Sequence, residues 1–253
     1  VTAFQGNIDQ RLWQRLRRDF GKATGDFRLI EEGDRIAVGV SGGKDSFTLL
    51  LLLKELQKRA PVSFQICAIN IDSGYPGYRK DLVEDFLKEQ QIQYTMVPTE
   101  HYNIISEKRR PGSSYCSICA RLKRGALYGA VTKLGCNKLA LGHHRDDFIE
   151  TLLLNQFFVG SLKAMAAKML ADNGQVTVIR PLVYLSESDI ISFAKQAKLP
   201  VTSCQCPVAD SADLRRQQMK NLLTRLEQEI PHIKNSLLAA LGNVQPRHLL
   251  IRE

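Results

Sequence analysis

Four short stretches of the chain carry reactive side chains at spacings that chemistry uses. They are SGGKDS at Ser41–Ser46, CSIC at Cys116–Cys119, GHHRDD at Gly142–Asp147 and CQCP at Cys204–Pro207. In the first, Gly42 and Gly43 let backbone amides approach an anion, Ser41 and Ser46 add hydroxyl donors, and Lys44 adds charge. Such a turn between a strand and a helix binds phosphate. It is not a Walker P-loop, which would need glycine at Val38 and a hydroxyl residue at Asp45. A G-x-G-x-x-G dinucleotide fingerprint is also absent. Asp45, in the first turn of the following helix, is expected to cap that helix and to hold Mg²⁺.

CSIC has metal-site spacing and opens a helix that continues as RLKRG. Zinc would require four ligands, which the second pair, Cys204 and Cys206, would complete. An iron–sulfur cluster held by three thiolates would leave one iron open. A redox C-x-x-C normally follows the first strand of a thioredoxin-like fold, and this one does not. On the residues alone, metal, cluster and redox roles stay open. Cys67 and Cys136 lie in or beside apolar runs and are expected to be buried small residues. In GHHRDD the adjacent histidines point in different directions, which disfavours a shared metal. Asp146 and Asp147 either cap a helix or, beside a nucleotide, bind magnesium or assist proton transfer.

The elements that must position these groups alternate regularly. Helical spacing covers residues 8–23, where Ile8, Leu12, Leu16 and Phe20 share a face. Strands are expected at 34–40, 64–71, 93–97, 138–141 and 176–179, and helices at 47–58, 81–89, 119–134, 146–158 and 186–196. Ser186 and Asp189 fit an N-cap with an acid at the third helical position. The pattern implies an α/β fold with a doubly wound parallel sheet, whose ligands gather at the carboxyl ends of the strands. SGGKDS, Asp72 with Ser73, and GHHRDD all fall there. The expected division is an N-terminal helical segment (1–28), a nucleotide-binding domain (29–207) and a helical appendage (208–253).

The chain of 253 residues carries 35 basic and 26 acidic side chains, a net charge of +9. More than half of that excess, a net +5, lies between His101 and Ala130, where Lys108, Arg109, Arg110, Arg121, Lys123 and Arg124 face the single acid Glu107. Such a window suits either nucleic acid or a solvated helix face. A second cluster, Arg15, Arg17 and Arg18, lies on the first helix. No apolar run approaches the roughly 18 residues that span a bilayer. With no signal core near Asp9, Arg11 and Arg15, the expected location is cytoplasmic, without membrane contact.

SGGKDS resembles the signature of the PP-loop ATP pyrophosphatases, or adenine nucleotide α-hydrolase-like proteins. With CSIC-RLKRG, GHHRDD, VIRPL and the late cysteines in order, the chain from Ile30 to about Leu223 resembles the tRNA 2-thiocytidine synthetases. That resemblance implies cleavage of ATP between its α- and β-phosphates and adenylation of the 2-oxygen of cytidine 32 in the anticodon loop. Replacement by sulfur would follow at a [4Fe–4S] cluster. ATP would contact Ser41–Ser46, Asp72, Gly142 and His143, and Lys123 and Asp147 would be catalytic. Cys116, Cys119 and Cys206 would hold the cluster, with Cys204 as the alternative, because the late pair is one residue shorter than the family's C-x-x-C. Implied partners are tRNA, a sulfur donor such as a cysteine desulfurase, and a second copy of the chain. The competing readings are a lysidine-type or amide-forming ligase, which leaves CSIC unexplained, and a zinc-bearing nucleic-acid-binding module, which leaves SGGKDS unexplained.

Overall fold

The computed structural model describes residues 7–107, 115–172, 174–202 and 214–250. Its strands are β1 (Arg35–Gly39), β2 (Gln65–Asp72), β3 (Tyr94–Pro98), β4 (Lys138–Ala140), β5 (Lys168–Leu170) and β6 (Thr177–Ile179). They form one sheet in the order β3-β2-β1-β4-β6-β5. The expected strands are the five that run parallel. β5 departs from that expectation: it pairs antiparallel with β6 and makes the sheet mixed. The turn joining them closes through Ala171 N–H donating to the Val176 carbonyl at 2.8 Å.

Period-two alternation places helices on both faces. Ile36 and Val38 of β1 join the core built by α1 (Gln10–Asp26), α2 (Lys44–Gln57) and α3 (Lys80–Glu89). Ala37, between them, faces Ala130 and Val131 on the opposite side. After β3 come α4 (His101–Glu107), which the sequence pattern did not indicate, and α5 (Tyr115–Lys133), which supplies Ala130 and Val131. α6 (Arg145–Leu154) stops before the expected 158 and continues as a π turn over Asn155–Val159. Asn155 Nδ2 donates to the Thr151 and Lys163 carbonyls, and left-handed Gly160 ends the run. α7 (Glu187–Gln196) is capped as expected, with the Asp189 N–H donating to Ser186 Oγ at 3.1 Å. Trp13 of α1 stacks on Phe193 of α7 at 5.4 Å. α8 (Leu214–Glu229) and α9 (Ile233–Ala240) follow.

The chain divides into two compact units, Val1–His144 with Ala166–Ala212, and Arg145–Met165 with Asp213–Glu253. In the second, Ile149 and Leu153 pack on Met219 and Leu223. Among the described residues no helix is long and apolar enough to cross a membrane. The basic cluster of α1 is largely spent on ion pairs: Arg15 with Asp189, Arg17 with Glu55 and Arg18 with Asp19. It is a paired helix face.

One buried ion pair fixes the amino ends of β1 and β4. Lys138 Nζ lies 2.6 Å from Asp34 and 2.7 Å from Glu31, and both Lys138 and Asp34 side chains are 4% exposed. Burial raises the Asp34 pKa, but the hydrogen bonds from Lys138, the Glu31 amide and Asn137 outweigh it and hold the carboxyl below its ordinary value. Its contribution to stability is therefore full above the unfolded-state pKa of about 3.9 and is lost as pH falls through the lower folded value. Lys138→Met strands the Asp34 carboxylate, and urea unfolding at pH 7 should show a loss of about 3 kcal/mol. Unfolding midpoints measured from pH 7 to pH 3 should show that difference shrinking on acidification. A pH-independent difference would contradict the assignment.

Candidate functional site

The loop after β1 is shaped by its glycines and by the edge of the sheet. Gly42 adopts φ +85°, and the N-cap of α2 is Gly43. Asp45 therefore does not cap the helix, contrary to expectation, because it already lies two residues inside. The loop hydroxyls brace the turn instead: Ser46 Oγ donates to the Gly43 carbonyl at 2.9 Å, and the Ser41 amide donates to Ser46 Oγ at 3.2 Å. From β2, buried Asn70 Nδ2 donates to the Val40 carbonyl at 2.7 Å and to Tyr78 Oη at 2.5 Å.

Charges converge on the start of α2. Lys44 Nζ lies 3.2 Å from Asp45 and 3.3 Å from Glu187. Burial lowers the Lys44 pKa, but the two carboxylates overcome it and raise it above the ordinary lysine value. Asp45 Oδ1 is buried without a hydrogen-bond partner, 3.8 Å from His144 Nε2. An orphaned carboxylate oxygen beside a phosphate turn is a fitting Mg²⁺ ligand.

Two segments distant in sequence close on this turn. A Cβ on Gly142 would meet the Asp45 carbonyl at 3.2 Å and the Ser46 amide at 3.2 Å, so GHHRDD begins against the loop as expected. The Thr202 amide donates to the Gly42 carbonyl at 2.9 Å. A Cβ on Gly42 would stand 2.3 Å from Thr202 Oγ1. Gly42→Ala combines that clash with a strained φ and should cost ~1–3 kcal/mol in urea unfolding while weakening nucleotide binding. Unchanged stability and affinity would show that the turn tolerates a side chain.

Asp72 ends β2 at the same edge. Its Oδ1 accepts the Gly74 amide at 3.0 Å, and its Oδ2 lies 3.4 Å from Lys80, so it shapes the loop that carries Tyr75. The Tyr75 ring packs on Tyr102 at 5.2 Å, and its hydroxyl donates to Cys119 Sγ at 3.6 Å. This contact, absent from the sequence reading, ties the CSIC helix to the carboxyl edge of the sheet. Cys116 lies one turn before Cys119 in α5. The Cys116 side chain and the whole of Cys204 and Cys206 lie outside the described residues, as do Lys108, Arg109 and Arg110.

Lys123 follows one turn after Cys119. Its charge adds to burial in lowering the pKa of His101, the buried residue that opens α4. Asp147 lies in the second unit, in the first turn of α6, where its carboxylate is 3.6 Å from Arg216. His143 Nδ1 accepts from Arg180 Nε at 3.2 Å, a contact the sequence did not indicate. At the opposite edge of the sheet, Cys136 is buried as expected and Cys67 is half-buried, with their sulfurs 3.5 Å apart. Burial, with Cys136 adding to it, pushes the Cys67 thiol up to about 12. That thiol is protonated and unreactive at neutral pH.

A glycine loop at the end of the central strand, inside a doubly wound sheet, defines a PP-loop nucleotide-binding protein. The PP-loop domain family matches the chain over residues 12–225. Over 239 residues the chain is 70% identical to the tRNA-cytidine(32) 2-sulfurtransferase of Pelobacter propionicus, covering 94% of this chain and 89% of that one. It is 63% identical to the protein of the same name from Geobacter sulfurreducens over 243 residues, with 96% and 95% covered. Within the PP-loop superfamily, the chain belongs to the tRNA-cytidine(32) 2-sulfurtransferase family. Among solved structures, it resembles the U34-tRNA thiolase of Methanococcus maripaludis with its [4Fe–4S] cluster. That match has TM-score 0.78 and 26% identity, and covers 94% of this chain and 82% of the thiolase.

Proposed function

We propose that the protein uses ATP to replace the 2-oxygen of cytidine 32 in the tRNA anticodon loop with sulfur, at a site holding a [4Fe–4S] cluster. The observation that carries this reading is the Tyr75–Cys119 contact, which brings a thiol of the C-x-x-C helix to the strand edge that bears the PP-loop. The two named families of relatives, one acting on cytidine 32 and one bearing the cluster, support the same chemistry.

The loop amides, Ser41, Ser46 and Lys44 hold the β- and γ-phosphates, and Asp45 holds Mg²⁺, which would neutralise the triphosphate. The cytidine 2-oxygen attacks the α-phosphorus and pyrophosphate leaves, so the oxygen becomes part of an AMP leaving group. Lys123 stabilises negative charge developing at phosphorus, and Asp147 moves the proton. Cys116, Cys119 and Cys206, with Cys204 as the alternative, supply the thiolates. When bound, the cluster would present sulfur for attack at C2 from its open iron. We assign the sulfur to a persulfide donor of the cysteine desulfurase type, whose outer sulfur is reduced to sulfide by two electrons from a thiol reductant before it displaces AMP. We assign the location to the cytoplasm where tRNA resides, and the assembly to a homodimer.

Anaerobic reconstitution with iron, sulfide, ATP, Mg²⁺ and unmodified tRNA should give brown protein. AMP, pyrophosphate and 2-thiocytidine should then form in equal amounts. Colourless protein with stoichiometric zinc would favour a binding module, and adenylation without thiolation would favour a ligase. The basic window should carry the RNA backbone. Arg109→Glu with Arg110→Glu should lower the slope of log K against log salt by up to about one per lost phosphate contact, leaving ATP affinity intact. An unaltered slope would return these arginines to a solvated face.

A further inference from the structure

The VIRPL block has no part in the chemistry above, yet its arginine is unusual. Arg180 follows β6, one strand outward from β4 at the same carboxyl edge. Its Nε donates to His143 Nδ1 at 3.2 Å and its Nη1 to the Ala166 carbonyl at 2.6 Å. Both partners are neutral acceptors, and among the described residues no carboxylate pairs with this half-buried guanidinium. Burial lowers its pKa against an opposing effect of Tyr128, and the positive charge of Arg124 on α5 adds a smaller lowering. Other sheltered cations are treated differently: Lys44, Lys138 and Lys234 each hold two carboxylates. Lys54, for which the described residues also supply no carboxylate, lies in the last turn of α2 and donates to the Gln90 carbonyl.

A sheltered cation without a counter-charge is costly unless an anion completes it. The remaining N–H groups of a guanidinium form a fork that matches phosphate. By accepting at Nδ1, His143 holds the Nε edge of the guanidinium in place without adding positive charge. Arg124 is exposed, so the charge opens to solvent and to a large ligand. We propose that Arg180, with His143 and Arg124, forms an anion site that takes a phosphate group, either a phosphodiester of the RNA or a phosphate of ATP. The choice of these two sources rests on the thiolation reading; the anion site itself does not.

Arg180→Gln and Arg180→Lys test it on the full chain. ATP binding is measured by calorimetry and tRNA binding by filter retention across a salt series. Arg180→Gln should weaken one of them at least tenfold, Arg180→Lys less, while the glutamine variant melts no lower than wild type. Loss on the tRNA arm with the salt slope reduced by about one identifies the RNA phosphate. Loss on the ATP arm alone identifies the nucleotide. Inorganic phosphate is titrated by thermal shift into Lys44→Ala protein, to remove competition from the PP-loop. It should stabilise that protein while Arg180 is present, but not once Arg180→Gln is added. That arm stands even if wild type binds no tRNA, a result that would sink only the thiolation reading. All three affinities staying within twofold, with a lowered melting temperature, would make Arg180 a strut between His143 and Ala166 and overturn the proposal.

Discussion

Lys44→Ala is expected to abolish pyrophosphate release and tRNA thiolation, a loss of at least about 100-fold. Lys44 directly follows the glycine turn, and its ammonium is shared between Asp45 and Glu187. An incoming triphosphate competes for that ammonium and offers denser negative charge. Asp45 and Glu187 are 29% and 18% exposed, so water screens their carboxylates once alanine removes the ammonium; the melting temperature should fall only slightly and nucleotide affinity steeply. Pyrophosphate release, melting and iron content measured on the same preparation separate these effects. Retained thiolation would refute the assignment of Lys44 to ATP.

Loss of cluster thiolates should be equally severe. Cys119→Ala is expected to remove the iron and the thiolation activity together, because two thiolates cannot hold a cluster that needs three. For the remote ligand, Cys206→Ala should behave like Cys119→Ala, whereas Cys204→Ala should keep both iron and activity. Here Pro207 follows Cys206 and would fix the backbone beside that ligand. Iron analysis and visible absorbance on anaerobic protein decide it. The reverse pattern moves the ligand to Cys204, and full iron in both variants sinks the three-cysteine arrangement.

The sequence was most informative where one physical rule acts locally. β1 alternates cleanly between two cores, the glycines end it, and Ser186 meets the capping rule, so all three were readable. The mixed edge was not: β5 is three residues long with no buried side chain, too short to show a period. α4 buries only His101 and Ile105 across seven residues, which leaves no apolar stripe to detect. Asp45 failed as a cap because the turn places Gly43 at that position, a matter of two residues that composition cannot resolve. Tyr75 with Cys119 and Arg180 with His143 are 44 and 37 residues apart, and only the packed sheet brings them together. The site is thus a local loop completed by long-range contacts.

The position of β1 between β2 and β4 has a consequence for how the protein is made. Asn137 and Lys138 close on Asp34 and Arg35 across more than a hundred residues. A nascent chain can pair β1 with β2 early, but the other side of β1 has no partner until β4 leaves the ribosome. Through that interval the strand that leads into the ATP loop presents an apolar, unpaired edge, the kind of surface that other chains or chaperones engage. Ribosome-bound chains halted before Cys136 should therefore be digested far faster than chains halted after Leu182. The protein is at its most vulnerable in the interval between the synthesis of β2 and that of β4.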